Sequence, residues 1–273
     1  MRPSGIDTVT GPPCKCAFRL HHNYMRVLPV IAIHGFVLFT GFAGAQDFSN
    51  LIKKADALDA QERTLDAIEV LKQAEKISPN DPQVLIKLSQ EYSDAIDVAK
   101  EQSQKSAYAS LCLEYAKKAV HAAPDNADAH TCLSIAYGKL TDFVDNKTKM
   151  QYSTVVKSEA EKAVELNPQN DVALLILARW NFDMATLNPF LKAIAQTLYG
   201  EMPPASKEQA VAYFRKAIAA APDRIMNHAE YANALEAMGK TQEANAEWLK
   251  VTQLKPTDSD DRRYLAEARK KLK

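Results

Sequence analysis

Glycine is scarce in this chain: 8 occur among 273 residues, with 13 prolines and 2 tryptophans. Against abundant Ala, Leu, Lys and Glu, so few helix breakers favour long helices. Net charge is absent too, with 34 basic and 34 acidic residues. Binding nucleic acid needs a basic surface, so that class of partner is excluded. Hydrophobic residues at 47% and charged residues at 25% match a soluble globular protein and exclude a disordered tail. There is no phosphate-cradling glycine loop, no metalloprotease helix motif and no serine nucleophile elbow. Neither enzymatic activity nor a cofactor is expected.

The first 45 residues read as a separate object. Met25-Arg26 precede an apolar run from Val27 to Phe42, followed by Ala43-Gly44-Ala45 and then Gln46-Asp47. A positive start, a short apolar stretch and a small-x-small site describe a secretory signal peptide. This reading predicts cleavage after Ala45 and an exported, periplasmic or secreted, protein. It also places the natural start at Met25, with residues 1–24 an over-called extension. The alternative is an uncleaved anchor at 27–42, although about 16 apolar residues fall short of the roughly 20 that span a bilayer. Without the segment, 30 basic and 33 acidic residues remain, a net charge of −3. Two domains follow: 1–45 as leader and 46–273 as the folded part.

Five segments inside that folded part look alike. Ala74, Ala119, Ala163, Ala217 and Val251 each stand five residues before a proline, at Pro79, Pro124, Pro168, Pro222 and Pro256. Proline ends a helix and fixes the turn that follows. The prolines are spaced by 45, 44, 54 and 34 residues, and the last equals the tetratricopeptide period. The excess in the other units is assigned to the region between the two helices of each pair. Counting from the prolines, Ala55, Ser89, Ser134, Ala178 and Ala232 fall at the eighth position. Ala67, Leu111, Val156, Ala210 and Ala244 fall at the twentieth, and Leu71, Tyr115, Ala160, Phe214 and Trp248 at the twenty-fourth. Small side chains at the eighth and twenty-seventh positions let paired helices approach closely.

The expected architecture is an all-α tetratricopeptide-like solenoid of five helix pairs, with an inserted helix in the fourth and a capping helix at the end. The pairs fall at 47–58 with 62–77, 81–101 with 104–122, 126–141 with 146–166, 170–187 with 206–220, and 225–238 with 241–254. The cap covers 259–272. Cys112 and Cys132 are expected as buried single thiols rather than a disulfide. His121 and His130 do not combine with them into one tetrahedral metal site, because the spacings carry them apart. Gly239 marks the last intra-pair turn, and Thr241 and Ser206 are expected N-caps.

The insertion at 185–204 is the most individual stretch. Asn188-Pro189 opens a short helix, Gly200 closes it, and Leu191, Ile194, Ala195 and Leu198 form its apolar face. Leu175-Ile176-Leu177-Ala178-Arg179-Trp180, Leu198-Tyr199-Gly200 and Pro203-Pro204-Ala205-Ser206 carry a resemblance to the regulator of microtubule dynamics family. The likeness begins near Leu51-Ile52-Lys53-Lys54-Ala55-Asp56 and continues to about residue 256. The family's usual glycine before Arg-Trp is Ala178 here, and its inserted helix differs around Pro189 and Phe190. The resemblance implies a tetratricopeptide-like fold without catalysis, and structural roles for Arg179, Trp180, Gly200, Pro203 and Pro204. It also implies links to microtubules, spindle poles or mitochondria in animal members, with phospholipid binding in one membrane-anchored member. An exported chain of a bacterium would not meet tubulin, so the fold is carried over first, and a microtubule- or organelle-associated adaptor stays as a further alternative.

A groove is the natural site for such a fold, lined by the first helix of each pair. The repeat numbering nominates Ile86, Gln90, Ile135, Val172, Leu175, Arg179, Phe182 and Asn233. Two uses compete: a protein or peptide partner held in the groove, or an amphiphile with Val172, Leu175 and Phe182 around an acyl chain and Arg179 on an anionic head. A packing role for Arg179 and Trp180 weighs equally, with Trp180 against the insertion and Arg179 paired to a carboxylate.

Overall fold

The structure is a computed structural model that describes residues 40–189, 192–193, 196–197 and 203–273. The described residues hold helices and no strand. Gly41–Lys273 forms one compact unit. The helices are α1 (Thr40–Asp59), α2 (Thr64–Ile77), α3 (Pro82–Val98), α4 (Gln102–Ala122), α5 (Ala127–Leu140), α6 (Asn146–Leu166) and α7 (Asp171–Thr186), then α8 (Lys207–Ala220), α9 (Ile225–Ala237), α10 (Thr241–Gln253) and α11 (Ser259–Lys271). Pairs α1–α2 to α9–α10 are the five expected repeats, and α11 is the cap.

The alanine register explains the stack. Ala55, Ser89, Ser134, Ala178 and Ala232 are buried, as are Ala74, Ala119, Ala163, Ala217 and Val251. Where serine replaces alanine, its hydroxyl has a use. Ser89 Oγ donates to the Cys112 carbonyl at 3.1 Å, and Ser134 Oγ to the Val156 carbonyl at 2.8 Å. Those two acceptors each stand seven residues before a buried alanine, Ala119 or Ala163. Cys112, and not Leu111, therefore holds the twentieth position in the second repeat. Ala116 likewise displaces Tyr115 from the twenty-fourth. Leu111 is only half-buried, because one residue along a helix turns a side chain by about 100°.

The extra residues of the second and third units sit within the helices as well as between them. Helices α4 and α6 each run 21 residues, whereas α10 has 13. Helix α3 stops at Val98, short of 101, because Ala99 turns to an extended conformation. Helix α1 starts at Thr40 and passes without a break through Ala45, the expected cleavage point.

Each proline turn delivers the next helix with a cap. Asp81, Asn126 and Asn170 accept from backbone N–H groups of α3, α5 and α7. Two histidines tie down the proline carbonyls, which lie past the last helical hydrogen bond. His130 Nε2 lies 2.8 Å from the Pro124 carbonyl and its Nδ1 2.6 Å from Glu159. His228 repeats the clasp with Pro222 at 2.9 Å and Glu247 at 2.6 Å. Gly239 takes a φ of +75° in the turn between α9 and α10, a region open to glycine without strain. Ser206 caps α8 through Gln209 N–H at 3.1 Å. Thr241 does not cap α10. Lys240 holds that position without a side-chain bond.

Cys112 and Cys132 are buried, unpaired thiols. Burial pushes the Cys112 thiol up to about 11 and raises Cys132 further. The cap α11 buries Tyr264 and Ala268 against Trp248 and Ile225. Asp258 opens it by accepting from Asp261 N–H, and Arg269, Lys270 and Lys271 close it, in line with the helix dipole.

Candidate functional site

Along the stack α3 touches α5, α5 touches α7, α7 touches α9 and α9 touches α11, whereas α2, α4, α6, α8 and α10 make at most marginal contact with each other. The first helices therefore form the closely packed inner wall and the second helices the splayed outer layer. The last helix returns to the first pair: Arg262 of α11 pairs with Glu62 in the turn after α1.

Two hollows lie along the first helices, each about 490 Å³. The first is lined by Asp81, Gln83, Ile86, Lys87, Gln90 and Asp128. It unites the predicted Ile86 and Gln90. The second is lined by Ile135, Lys139, Val156, Arg179, Trp180 and Asp183, among others, and unites the predicted Ile135 and Arg179. The remaining nominees do not join them. Leu175 is 4% exposed and belongs to the core with Phe214 and Tyr231, against which Phe182 also packs. Val172 and Asn233 are half-buried outside both hollows.

Arg179 stretches across to Glu230 of α9 at 3.5 Å. Trp180 donates Nε1 to the Ser153 carbonyl at 3.0 Å and to its hydroxyl at 2.9 Å. The tryptophan is thereby tied to α6. Of the insertion, residues 189, 192–193 and 196–197 are helical, with Lys192 N–H bonded to the Asn188 carbonyl at 2.9 Å. Leu191, Ile194, Ala195, Leu198 and Gly200 lie outside the described residues. Pro203 is half-buried and Pro204 exposed.

Sequence reasoning missed the charge of the inner wall. On α3 the outward stripe is Gln83, Lys87, Gln90, Asp94 and Asp97, while Ile86 and Ser93 are buried beneath it. The numbering was one residue early at alternate turns, so it named Ile86 and passed over Lys87 and Asp94. Lys87 pairs with Asp56 of α1 at 2.6 Å, and Lys139 of α5 with Asp97 at 2.8 Å. Glu91 is 6% exposed, and its Oε2 has no hydrogen-bond partner. Burial, then the charges of Asp59 and Asp94, push the Glu91 carboxyl up to about 8. Asp94 keeps contact with solvent, yet the wall surrounds it closely enough that desolvation and Asp59 raise it to about 7. Farther along, burial raises Asp183 against the pull of Arg179. Among the described residues no group of His, Cys, Asp and Glu is placed to hold a metal ion. His130 is engaged by Glu159 and Pro124 instead.

Paired helices in a closed alanine register, with an open inner wall, define a repeat protein of the tetratricopeptide class. The fold is shared with TTC0263 of Thermus thermophilus, described as a thermophilic TPR protein, at a TM-score of 0.60 and 23% identity over 81% of this chain and 98% of that one. It is shared also with pilF of Pseudomonas aeruginosa at 0.53 and 15%, over 84% and 89%. Within that class, residues 51–273 match the model of Regulator of microtubule dynamics protein 1-3, and the chain belongs to that family. Regulator of microtubule dynamics protein 1 of Bos taurus is 25% identical over 66% of this chain and 57% of its own length. Protein 3 of the same animal is 26% identical over 77% and 45%. The chain thus spans about half the length of these curated relatives.

Membership corrects the expectation of export. The relatives are animal proteins named for the regulation of microtubules, which are intracellular filaments, and not for a secreted role. The leader was read from charge and hydropathy alone, and short apolar runs are not specific to signal peptides. Residues 1–39, which carry most of that run, lie outside the described residues. Among the described residues no helix is long and apolar enough to cross a membrane.

Proposed function

We propose that this chain is a non-catalytic scaffold that holds a segment of a partner protein along its inner wall, as an adaptor in a microtubule- or organelle-associated setting. One observation carries the reading: two open hollows of about 490 Å³ follow one another along the first helices, with mixed apolar and charged linings. An extended or helical segment matches such a track, with an apolar anchor on Ile135 and polar contacts along Gln83, Lys87 and Gln90. Carriage of an amphiphile has less support. Leu175 is core, Phe182 packs beside it, and Arg179 is already met by Glu230.

A photo-crosslinking residue at Gln90 or Ile135, introduced into the chain in its own cells, tests the proposal. Discrete protein adducts from both positions, absent from the outward-facing Glu114, support the scaffold. Lipid adducts alone, identified by mass, overturn it.

A further inference from the structure

The hollow between α5 and α7 deepens that reading and rests on it. Its apolar lining comes from three helices: Ile135 of α5, Val156 of α6, and Ile176, Trp180 and Met184 of α7. The polar groups beneath the rim are already engaged with protein atoms. Ser134 Oγ donates to the Val156 carbonyl, Thr141 Oγ1 to the Gly138 carbonyl, and Trp180 Nε1 to Ser153. Lys139 reaches back to Asp97 of α3 and Arg179 forward to Glu230 of α9, so both cations lean onto the flanking helices. With Asp142 and Asp183 they leave the rim with two charges of each sign. Neither an anionic nor a cationic guest is favoured by such a rim. An apolar guest, by contrast, breaks no hydrogen bond on entry and leaves no polar group of its own unpaired.

Gly138 adds an independent sign. It lies inside α5 and does not take the left-handed conformation that favours glycine. A Cβ at this position would meet only Val156 Cγ2, at 3.9 Å, which is ordinary contact. Neither backbone nor packing calls for glycine there, and inside a helix alanine is the more stable choice. What the glycine preserves is room. Gly138 and Val156 both line the hollow, so a side chain at 138 would fill part of it.

We propose that this hollow is the socket for one aromatic side chain of the partner's segment, and that Gly138 keeps the socket open. Trp180 and Met184 favour an aromatic guest over an aliphatic one, through ring–ring and sulfur–ring contact. Aromatic side chains seated in desolvated pockets are also the usual anchors of protein interfaces. At about 490 Å³ the socket admits such a ring together with part of the backbone that carries it.

Methyl NMR on the full chain, with isoleucine and methionine methyls labelled, tests this. The probes are N-acetyl-phenylalaninamide, the corresponding leucine, lysine and glutamate amides, and decyl phosphate. The phenylalanine probe is expected to shift Ile135, Ile176 and Met184 saturably, with a Kd on the order of 1 mM, and every other probe to bind more weakly. Gly138→Leu should abolish those shifts while the chain stays folded. Gly138→Ala, which adds one methyl at ordinary contact distance, should weaken the probe yet raise Tm. Absence of shifts at the three methyls in the wild type overturns the inference, as does binding unchanged by Gly138→Leu. Another probe binding as tightly as phenylalanine, or a fall in Tm for Gly138→Ala, overturns it too, the latter because the glycine then serves packing. Protein adducts at Gln90 and Ile135 that form although no probe binds remove the socket and leave the scaffold reading intact. Absence of those adducts removes both.

Discussion

Arg262, in the last helix, pairs with Glu62, in the turn after the first, across 200 residues of sequence. The solenoid is thereby latched end to end by one surface ion pair. Both side chains are about half exposed, and exposed pairs contribute roughly 0–1 kcal/mol. Arg262→Glu is expected to lower stability by less than about 1 kcal/mol, yet to widen the spacing between α1 and α11. Spin-label distances between Asp47 and Lys270 check this, and the charge-swapped Glu62→Arg/Arg262→Glu double variant restores the original spacing. An unchanged distribution in the single variant means the curvature is set by helix packing alone.

Ala217 tests the register. It is buried, and its carbonyl accepts from Asn227 at 3.2 Å. Ala217→Glu forces a carboxylate into the contact between α8 and α9, at an expected cost of more than about 3 kcal/mol. Thermal unfolding followed by circular dichroism should show a large drop in Tm. A melting curve like the wild type's would contradict the packing described.

The repeated histidine clasp yields a third expectation. Each ring faces two acceptors, a carboxylate and a proline carbonyl. His130→Ala and His228→Ala should each cost about 1–3 kcal/mol, measured by urea unfolding, because each leaves a partly buried glutamate without its donor. A neutral result at both positions would show the clasps to be incidental.

Glu91 sets a pH dependence whose sign is definite. Its carboxyl titrates at about 8 in the folded chain against an ordinary 4.5. Between those values the folded state holds the proton and the unfolded state loses it, so stability falls as pH rises through that window. Glu91→Gln should flatten the dependence and be the more stable protein at pH 8. If wild type and variant run parallel from pH 5 to 8, Glu91 ionises normally and the sealed site is not formed.

The helices and their register were legible because prolines and alanines recur at offsets set by helix geometry. Ala74, Ala119, Ala163 and Ala217 announce a close contact in any order of reading. The slip at Leu111 is one of register, since it stands 13 residues before Pro124 where the other four units place that position 12 before their proline. The site was only half legible. Ile86, Gln90, Ile135 and Arg179 follow from their place on first helices. Leu175 and Phe182 are captured by α8 and α9, and the acids of the wall gain their meaning only when α1, α3 and α11 converge. No local pattern encodes that convergence. The short apolar run near the N-terminus was over-read for the same reason, since hydropathy records composition and not destination.

Unequal helix lengths have a consequence for how a segment enters. The proline turns lie on one rim, and α3, α5, α7 and α9 start level with one another there, while α1 projects past it. Surplus residues accumulate towards the opposite rim, where α4 and α6 outreach α10 by 8 residues, about 12 Å. A strand of partner threading from the level side meets a low sill. One approaching from the other side first meets a parapet of α4 and α6, which gives the channel an orientation before any side chain is touched.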